Sequence, residues 1–423
     1  MSGVAAPAAP VLDRARLLAR LEALGKIGRD AQGCLSRVAG TDADRLGRDQ
    51  LVRWLEEAGL EVRIDRIGNI FGVWRPVGAP DADALMIGSH IDTVVNAGTL
   101  DGAYGVLAGL GVIEAIRASG LAVCRPLVVA AFTNEEGARF SPDMMGSLVH
   151  VGGLSLDEAL ASRDRDGLTL GAELARIGYA GDVAPGALRP HAFLELHIEQ
   201  GPVLERHGEV IGVVEDLQGI SWQRIVISGT ANHAGTTPLD LRADAGLAAA
   251  QVTTFVHQQA RALGGGAVAT VGSLTLEPNV INVIPSRATL TVDLRDPVED
   301  RLRQAETGLA EELARIAAAS PVSIEVERLA RFEPVVFDAS LCDRIEAHAR
   351  ASGLAFRRMT SGAGHDAQMM ARICPAAMIF VPSVAGISHN PREHTDPDDL
   401  ARGAQLLLDV AADLLVVRSS PAG

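Results

Sequence analysis

The sequence predicts an α/β protein of two domains, one inserted into the other. Three observations lead there. The chain has 423 residues, more than one hydrophobic core usually organises. Its first half alternates continuous apolar runs with helix-length segments. Past Asp216 the texture changes to half-exposed strands and amphipathic helices, and the earlier pattern then resumes.

Between Ala84 and Phe132, "ALMIGS" reads as a buried strand, Ala103 to Ser119 as a helix and "PLVVAAFT" as a second buried strand. Unbroken apolar strands are typical of a sheet covered by helices on both faces. After Asp216, "SWQRIVISG" alternates as a half-exposed strand, "DLRADAGLAAAQVTTFVHQQARA" has helical period, and "AVATVGSLTLE" and "RATLTVDLR" are strands. A helix "VEDRLRQAETGLAEELARIAAA" and a strand "VSIEVERL" follow. The order βαββαβ is that of the ferredoxin-like split unit, with both helices on one face of an antiparallel sheet. A helix near Ser340 to Ser352, a strand "AAMIFV" and a helix from Pro397 to Val416 complete the chain. The expected domains are 1–219 joined to 334–423, with 220–333 inserted.

Aromatic residues make up only 3% of the chain and the formal net charge is −15. Nucleic acids and anionic membranes call for basic patches, so neither is an expected partner, and a small molecule is. The four cysteines, Cys34, Cys124, Cys342 and Cys374, form no CxxC pair, which suggests neither a disulfide framework nor a thiolate zinc site and fits a reducing compartment. The opening "MSGVAAPAAPVLD" lacks the basic start and long apolar core of a signal peptide, and no run of 18 apolar residues occurs. These features predict a soluble cytoplasmic protein with a short disordered leader.

In open α/β sheets, ligands bind at the carboxyl ends of the strands. Here those ends are rich in metal-capable side chains: His90 and Asp92 after "MIGS", Glu135 and Glu136 after "VVAAFTN", His197, Glu199 and Gln200 after "AFLEL", and His389 after "MIFVPSVAGIS". Histidine and carboxylate without cysteine suit zinc, manganese or cobalt. Three histidines, Asp101 and one of the two glutamates suffice for two ions if a carboxylate bridges. Asp101, followed by Gly102, is the natural bridge. The other glutamate is then free to take a proton from water and pass it to a leaving nitrogen, the chemistry of amide hydrolysis.

The stretches "GSHIDTVVNAGTLDGAYGVLAG", "TNEEGARF", "LELHIEQGPVLE", "ANHAGTTP", "NVIPSRATLTVDLRD", "GAGHDA" and "GISHNPREHT" resemble, in order, the hydantoinase/carbamoylase family of dinuclear metallo-amidohydrolases. That family includes N-carbamoyl-L-amino acid hydrolase, β-ureidopropionase and allantoate amidohydrolase. The eleven-residue step from His90 to Asp101 is shorter than in its aminoacylase and dipeptidase relatives, which disfavours those activities. The resemblance implies a mixed-sheet, metallopeptidase-like catalytic domain carrying the inserted domain as a dimerisation module. It implies His90, Asp101, Glu136, His197 and His389 as ligands of two divalent ions (zinc, manganese, cobalt or nickel), Asp101 as the bridge and Glu135 as the general base. Asp92 would orient His90, or else cap a turn.

The resemblance further implies that His233 reaches across a dimer to the substrate carbonyl, and that Asn279 and Arg295 clamp the substrate carboxylate. A guanidinium at a strand end suits that clamp, with an ion pair to Asp293 or Asp296 as the alternative. Gln200 would touch the ureido group, and Gly364 and His365 would allow close backbone approach to the substrate. Leu239 stands where many relatives have methionine, and His394 lies near enough to the last ligand to compete for metal. The implied activity is hydrolysis of N-carbamoyl-L-amino acids to the L-amino acid, ammonia and carbon dioxide, with allantoate or a β-ureido acid as the alternative substrate. A homologue serving only as a ligand sensor would have lost a ligand or the base, and this sequence retains all of them.

Overall fold

The computed structural model of the protein describes residues 9–76 and 82–416. The chain divides into two compact units, one built up to Glu215 and again from Phe337, the other spanning Asp216–Val336. Residues 1–8 of the expected leader lie outside the described residues. Beyond them Leu12 is already buried, and Asp13 caps the helix Arg14–Leu24 by accepting from the Arg16 N–H.

The first unit begins its sheet with β1 (Glu61–Ile64), β2 (Ile70–Trp74), β3 (Ala84–His90), β4 (Leu127–Phe132), β5 (Pro190–Ile198) and β6 (Ile211–Leu217). In the second unit β7 (Gly219–Ser228), helix Ala245–Leu263, β8 (Val268–Glu277), β9 (Arg287–Asp296), helix Glu299–Ala319 and β10 (Ser323–Phe332) follow in turn. The chain closes with β11 (Val335–Val336), helix Ala339–Ala351, β12 (Phe356–Ser361), β13 (Ala376–Val381) and helix Pro397–Leu415.

The large sheet runs β1-β2-β4-β3-β5-β13-β6-β11, with β12 also paired to β6. It is mixed: β4, β3, β5 and β13 are neighbours and mutually parallel, whereas β2 and β6 flank them antiparallel. Every residue of β3, β4 and β13 is buried, the physical reason for their unbroken apolar runs. Helix Ala103–Ser119 is apolar nearly all round and buried from Ala103 to Leu110. Four adjacent parallel strands present their carboxyl ends along one edge, and the loops leaving that edge carry the candidate site.

The second unit has its own four-stranded antiparallel sheet in the order β10-β7-β9-β8. Ile225 and Ile227 of β7 and Leu290, Val292 and Leu294 of β9 pack against Val252 and Val256 of one helix and Leu302, Leu309 and Ile316 of the other. The alternation read in "SWQRIVISG" is this one-sided burial. β8 is an edge strand and largely exposed.

Candidate active site

His90 is the last residue of β3 and His197 lies near the end of β5. Each ring sends Nδ1 to a backbone carbonyl, His90 to Asp92 at 3.0 Å and His197 to Ile198 at 2.8 Å. Those carbonyls fix the proton on Nδ1 and turn Nε2 toward Asp101 Oδ1, 3.5 Å from His90 and 3.1 Å from His197. The other oxygen, Asp101 Oδ2, lies 3.3 Å from His389 Nε2, which is also 3.3 Å from Glu136 Oε2. Two groups result: His90, Asp101 and His197, and Asp101, Glu136 and His389, each with donor atoms within 4.8 Å of one another. Asp101 belongs to both and offers one oxygen to each.

Gly102 makes this approach possible. Its φ is +63°, and a Cβ there would sit 2.4 Å from the His90 ring. Glu135 places Oε2 3.3 Å from His90 Nε2.

The electrostatics suit a cation. Burial alone would raise the Asp101 pKa, but hydrogen bonds with His197, His389 and His90 hold it well below the usual carboxylate range. The His389 pKa is raised to about 10 by hydrogen bonds to Asp101 and Glu136. Burial opposes protonation of His90, yet Glu135, Asp101 and Asp92 outweigh it and raise that pKa too. These carboxylates demand positive charge where the Nε2 atoms converge, and a divalent cation can supply it by displacing protons. Burial, reinforced by Asp366 and Glu136, lifts Glu135 well above its ordinary value, although His90 pulls the other way.

The surrounding residues refine the reading of the sequence. It is Asp92's carbonyl, rather than its carboxylate, that meets His90; the carboxylate oxygens instead accept from the Glu135 N–H (3.3 Å) and Glu136 N–H (3.4 Å), with Oδ1 3.9 Å from the ring. The chain folds back two residues after the strand end, which brings the backbone to the ring first. Gln200 directs Nε2 to Asp101 Oδ2 at 2.8 Å. His365 is buried, its ring edge-on to His197 at 4.6 Å and its Nε2 3.2 Å from Ser361 Oγ. At Gly364 the close neighbour is Met144, whose methyl carbon would lie 2.5 Å from an added Cβ. Among the described residues His394 joins neither metal-capable group.

His233, Asn279 and Arg295 belong to the second unit. The His233 loop pairs with the segment after Asn279, through Ala234 N–H to Asn282 O and Ile284 N–H to Asn232 O, both 2.9 Å. His233 Nδ1 accepts from the N–H groups of Gly235 (3.0 Å) and Thr236 (3.2 Å), which places the ring proton on the exposed Nε2. Arg295 pairs with Asp293, Nε at 3.0 Å and Nη2 at 3.0 Å from Oδ2, so the ion pair offered as an alternative is present.

Sequence reasoning passed over four further polar residues around the site: Glu195, Asp366, Ser388 and Glu393. Glu195 accepts from Ser89 Oγ at 2.6 Å and the Ala367 N–H at 2.8 Å. Its signal was an acid in the middle of the apolar strand "AFLEL". Asp366 is fully buried, and nothing in "GHDA" marks that.

Comparison with known proteins places these features in a family. Residues 86–413 match the model of peptidase family M20/M25/M40. An N-carbamoyl-L-amino-acid amidohydrolase of Rhizobium meliloti is 40% identical over 392 residues, 93% of this chain and 94% of that protein. An allantoate amidohydrolase of Bacillus subtilis is 34% identical over 92% of this chain and 95% of its own. The crystal structure of an amidase of the hydantoinase/carbamoylase family from Burkholderia multivorans superposes with a TM-score of 0.92 at 41% identity, covering 96% of this chain and 98% of that one. The chain thus belongs to peptidase family M20/M25/M40 and, within it, to the hydantoinase/carbamoylase amidohydrolases, hydrolases of amide C–N bonds.

Proposed function

We propose that the protein hydrolyses the ureido C–N bond of N-carbamoyl-L-amino acids, giving the L-amino acid, ammonia and carbon dioxide. The observation that carries this is Asp101, one oxygen in each of two metal-capable groups, with the Glu135 carboxylate beside them. One divalent ion (zinc, manganese, cobalt or nickel) would be held by His90, Asp101 and His197, and a second by Asp101, Glu136 and His389. Such ions supply Lewis acidity toward a carbonyl oxygen and acidify water. Glu135 Oε2 takes a proton from the water that adds to the ureido carbon and delivers it to the nitrogen of the breaking bond. Gln200, which donates to Asp101 Oδ2, would touch the ureido group.

We assign the second unit as a ferredoxin-like dimerisation module, supported by its strand–helix–strand–strand–helix–strand order and its exposed edge strand β8. In that reading His233, with its proton on Nε2, donates to the developing oxyanion. Arg295 and Asn279 bind the substrate carboxylate, for which Arg295 exchanges part of its contact with Asp293. Asp92 holds the backbone of Glu135 and Glu136, and Gly364 and His365 back the site. A cytoplasmic dimer is the assigned form. The four cysteines are free thiols, and no helix among the described residues is long and apolar enough to cross a membrane.

Allantoate is the second reading, favoured by the relative of that name in Bacillus subtilis. The deciding assay is ammonia release by protein stripped of metal and reloaded with manganese, against N-carbamoyl-L-amino acids, their D-enantiomers, β-ureidopropionate and allantoate. Stereospecific release from the carbamoyl amino acids with allantoate inert is expected. Preference for allantoate replaces the substrate and keeps the site. Silence across the panel, with two ions bound, overturns both substrates.

A further inference from the structure

Glu393 lies four residues beyond His389 and is 8% exposed. Its Oε1 accepts from the N–H groups of Leu100 (2.8 Å) and Asp101 (3.3 Å), and its Oε2 from Ser388 Oγ at 2.9 Å. Ser388 Oγ is in turn 3.0 Å from Asp101 Oδ2. One carboxylate therefore ties the backbone of Asp101 to the residue before His389, across 287 positions of sequence. Gly98 provides the space: a Cβ there would fall 2.1 Å from Glu393 Oε1.

The two metal-capable groups depend on this tie unequally. His90 and His197 stand on strands paired on both sides, and each has Nδ1 anchored to a carbonyl. His389 sits on a loop, half exposed, at φ +53°, a conformation that surrounding contacts must hold in place. Among the described residues its ring meets Asp101 and Glu136, the groups it would share a cation with. Without Glu393, two backbone donors lose their acceptor, and of the contacts that join the His389 loop to the Asp101 loop through Ser388 only the one from Ser388 Oγ to Asp101 Oδ2 remains.

We propose that Glu393 is a positioning residue that fastens the His389 loop to the Asp101 loop and thereby sets the affinity of the cation held by Asp101, Glu136 and His389, leaving the one held by His90, Asp101 and His197 nearly unchanged. It rests on the two-cation reading above but is measured by cation binding, independently of turnover.

The experiment is calorimetric titration of metal-free protein with manganese, comparing wild type with Glu393→Ala, Glu393→Gln and Ser388→Ala, and using His389→Ala to identify which binding step belongs to its group. Glu393→Ala should weaken that step about 10- to 100-fold, as loss of an outer-shell partner typically does, and the other step by no more than about threefold. Glu393→Gln should restore it, because the amide oxygen still accepts from both N–H groups and the amide nitrogen can donate to Ser388 Oγ. Equal weakening of both steps, no weakening of either, or failure of glutamine to rescue overturns the proposal. If the alanine variant does not fold, Ser388→Ala removes the Oε2 link together with the direct contact to Asp101 Oδ2: selective weakening supports the fastening of the two loops through Ser388, and unchanged binding overturns the proposal. Wild-type protein that binds no manganese overturns this inference and the two-cation reading together, whereas two bound ions without ammonia release overturn the substrate alone.

Discussion

The adjacent pair Glu135 and Glu136 shows what a single residue's position decides. Both follow the same strand and both backbones are held by Asp92, yet one side chain turns to His90 and the other to His389. Only Glu136 completes a metal-capable group. In Glu135→Gln the amide keeps the shape but cannot accept and return a proton, so kcat should fall by about 10²- to 10⁴-fold while both manganese ions stay bound. Turnover near the wild-type rate, measured with metal content confirmed on the same sample, would remove Glu135 as the base. Composition and spacing exposed the cluster, and they did not reveal which glutamate does which job. That followed from family resemblance, and a sequence carries no information on the finer geometry in which the Asp92 carbonyl meets the His90 ring at 3.0 Å and its carboxylate stands at 3.9 Å.

At the level of elements, legibility followed sequence pattern more than burial: β8 and β10 are read although largely exposed, whereas β2 and β6 are mostly buried and are not. β3, β4, β5 and β13 are read directly because both their faces are covered, and β7 and β9 because one face is. β2 and β6 escaped notice: β2 has five residues with a glycine in the middle, and β6 runs from apolar residues into Glu215 and Asp216 and pairs with β13, far along the chain. The short helix Met145–His150 also went unread, and it carries a titratable group into the core. The His150 ring packs 5.5 Å from Phe71 of β2 and 5.9 Å from Phe132 of β4. Burial pushes its pKa down to about 4, against an upward pull from the Leu188 backbone. The unfolded chain takes up this proton near pH 6.5 and the folded chain does not until about pH 4. His150 therefore favours the fold fully above pH 6.5, and that contribution is lost as the pH falls toward 4. Between pH 7.5 and 4.5 the loss amounts to about 2–3 kcal/mol. His150→Phe should flatten the acid limb of stability by that amount, measured by denaturant unfolding at the two pH values as the difference from wild type. Parallel curves for the two proteins would show that the ring is hydrated or paired well enough to titrate normally.

For the molecule as a whole, the site and the second unit draw their stability from different sources. The metal-capable groups come from two strand ends, carrying His90 and His197, and from the loops carrying Asp101, Glu136 and His389, all within the first unit, and bound cations would cross-link those segments in the folded state only. The second unit has a separate hydrophobic core, with Leu290, Leu302, Leu309 and Ile316 fully buried or nearly so and no residue of either metal-capable group in it. Ligand linkage then predicts an unequal response: an ion at 100 times its dissociation constant stabilises the unit that binds it by about 2.7 kcal/mol, and a unit that does not bind it by nothing. The chain's tryptophans make the test direct, since Trp54 and Trp74 lie in the first unit and Trp222 in the second. In a Trp54→Phe/Trp74→Phe variant, fluorescence reports the second unit, while calorimetry reports both. Chelation should lower the midpoint of the first unit's transition by several degrees, as about 2–3 kcal/mol does in a domain of this size, and leave the Trp222 transition in place. A Trp222 signal that shifts together with the calorimetric transition would mean that the two units unfold as one, with the cations stabilising the entire chain.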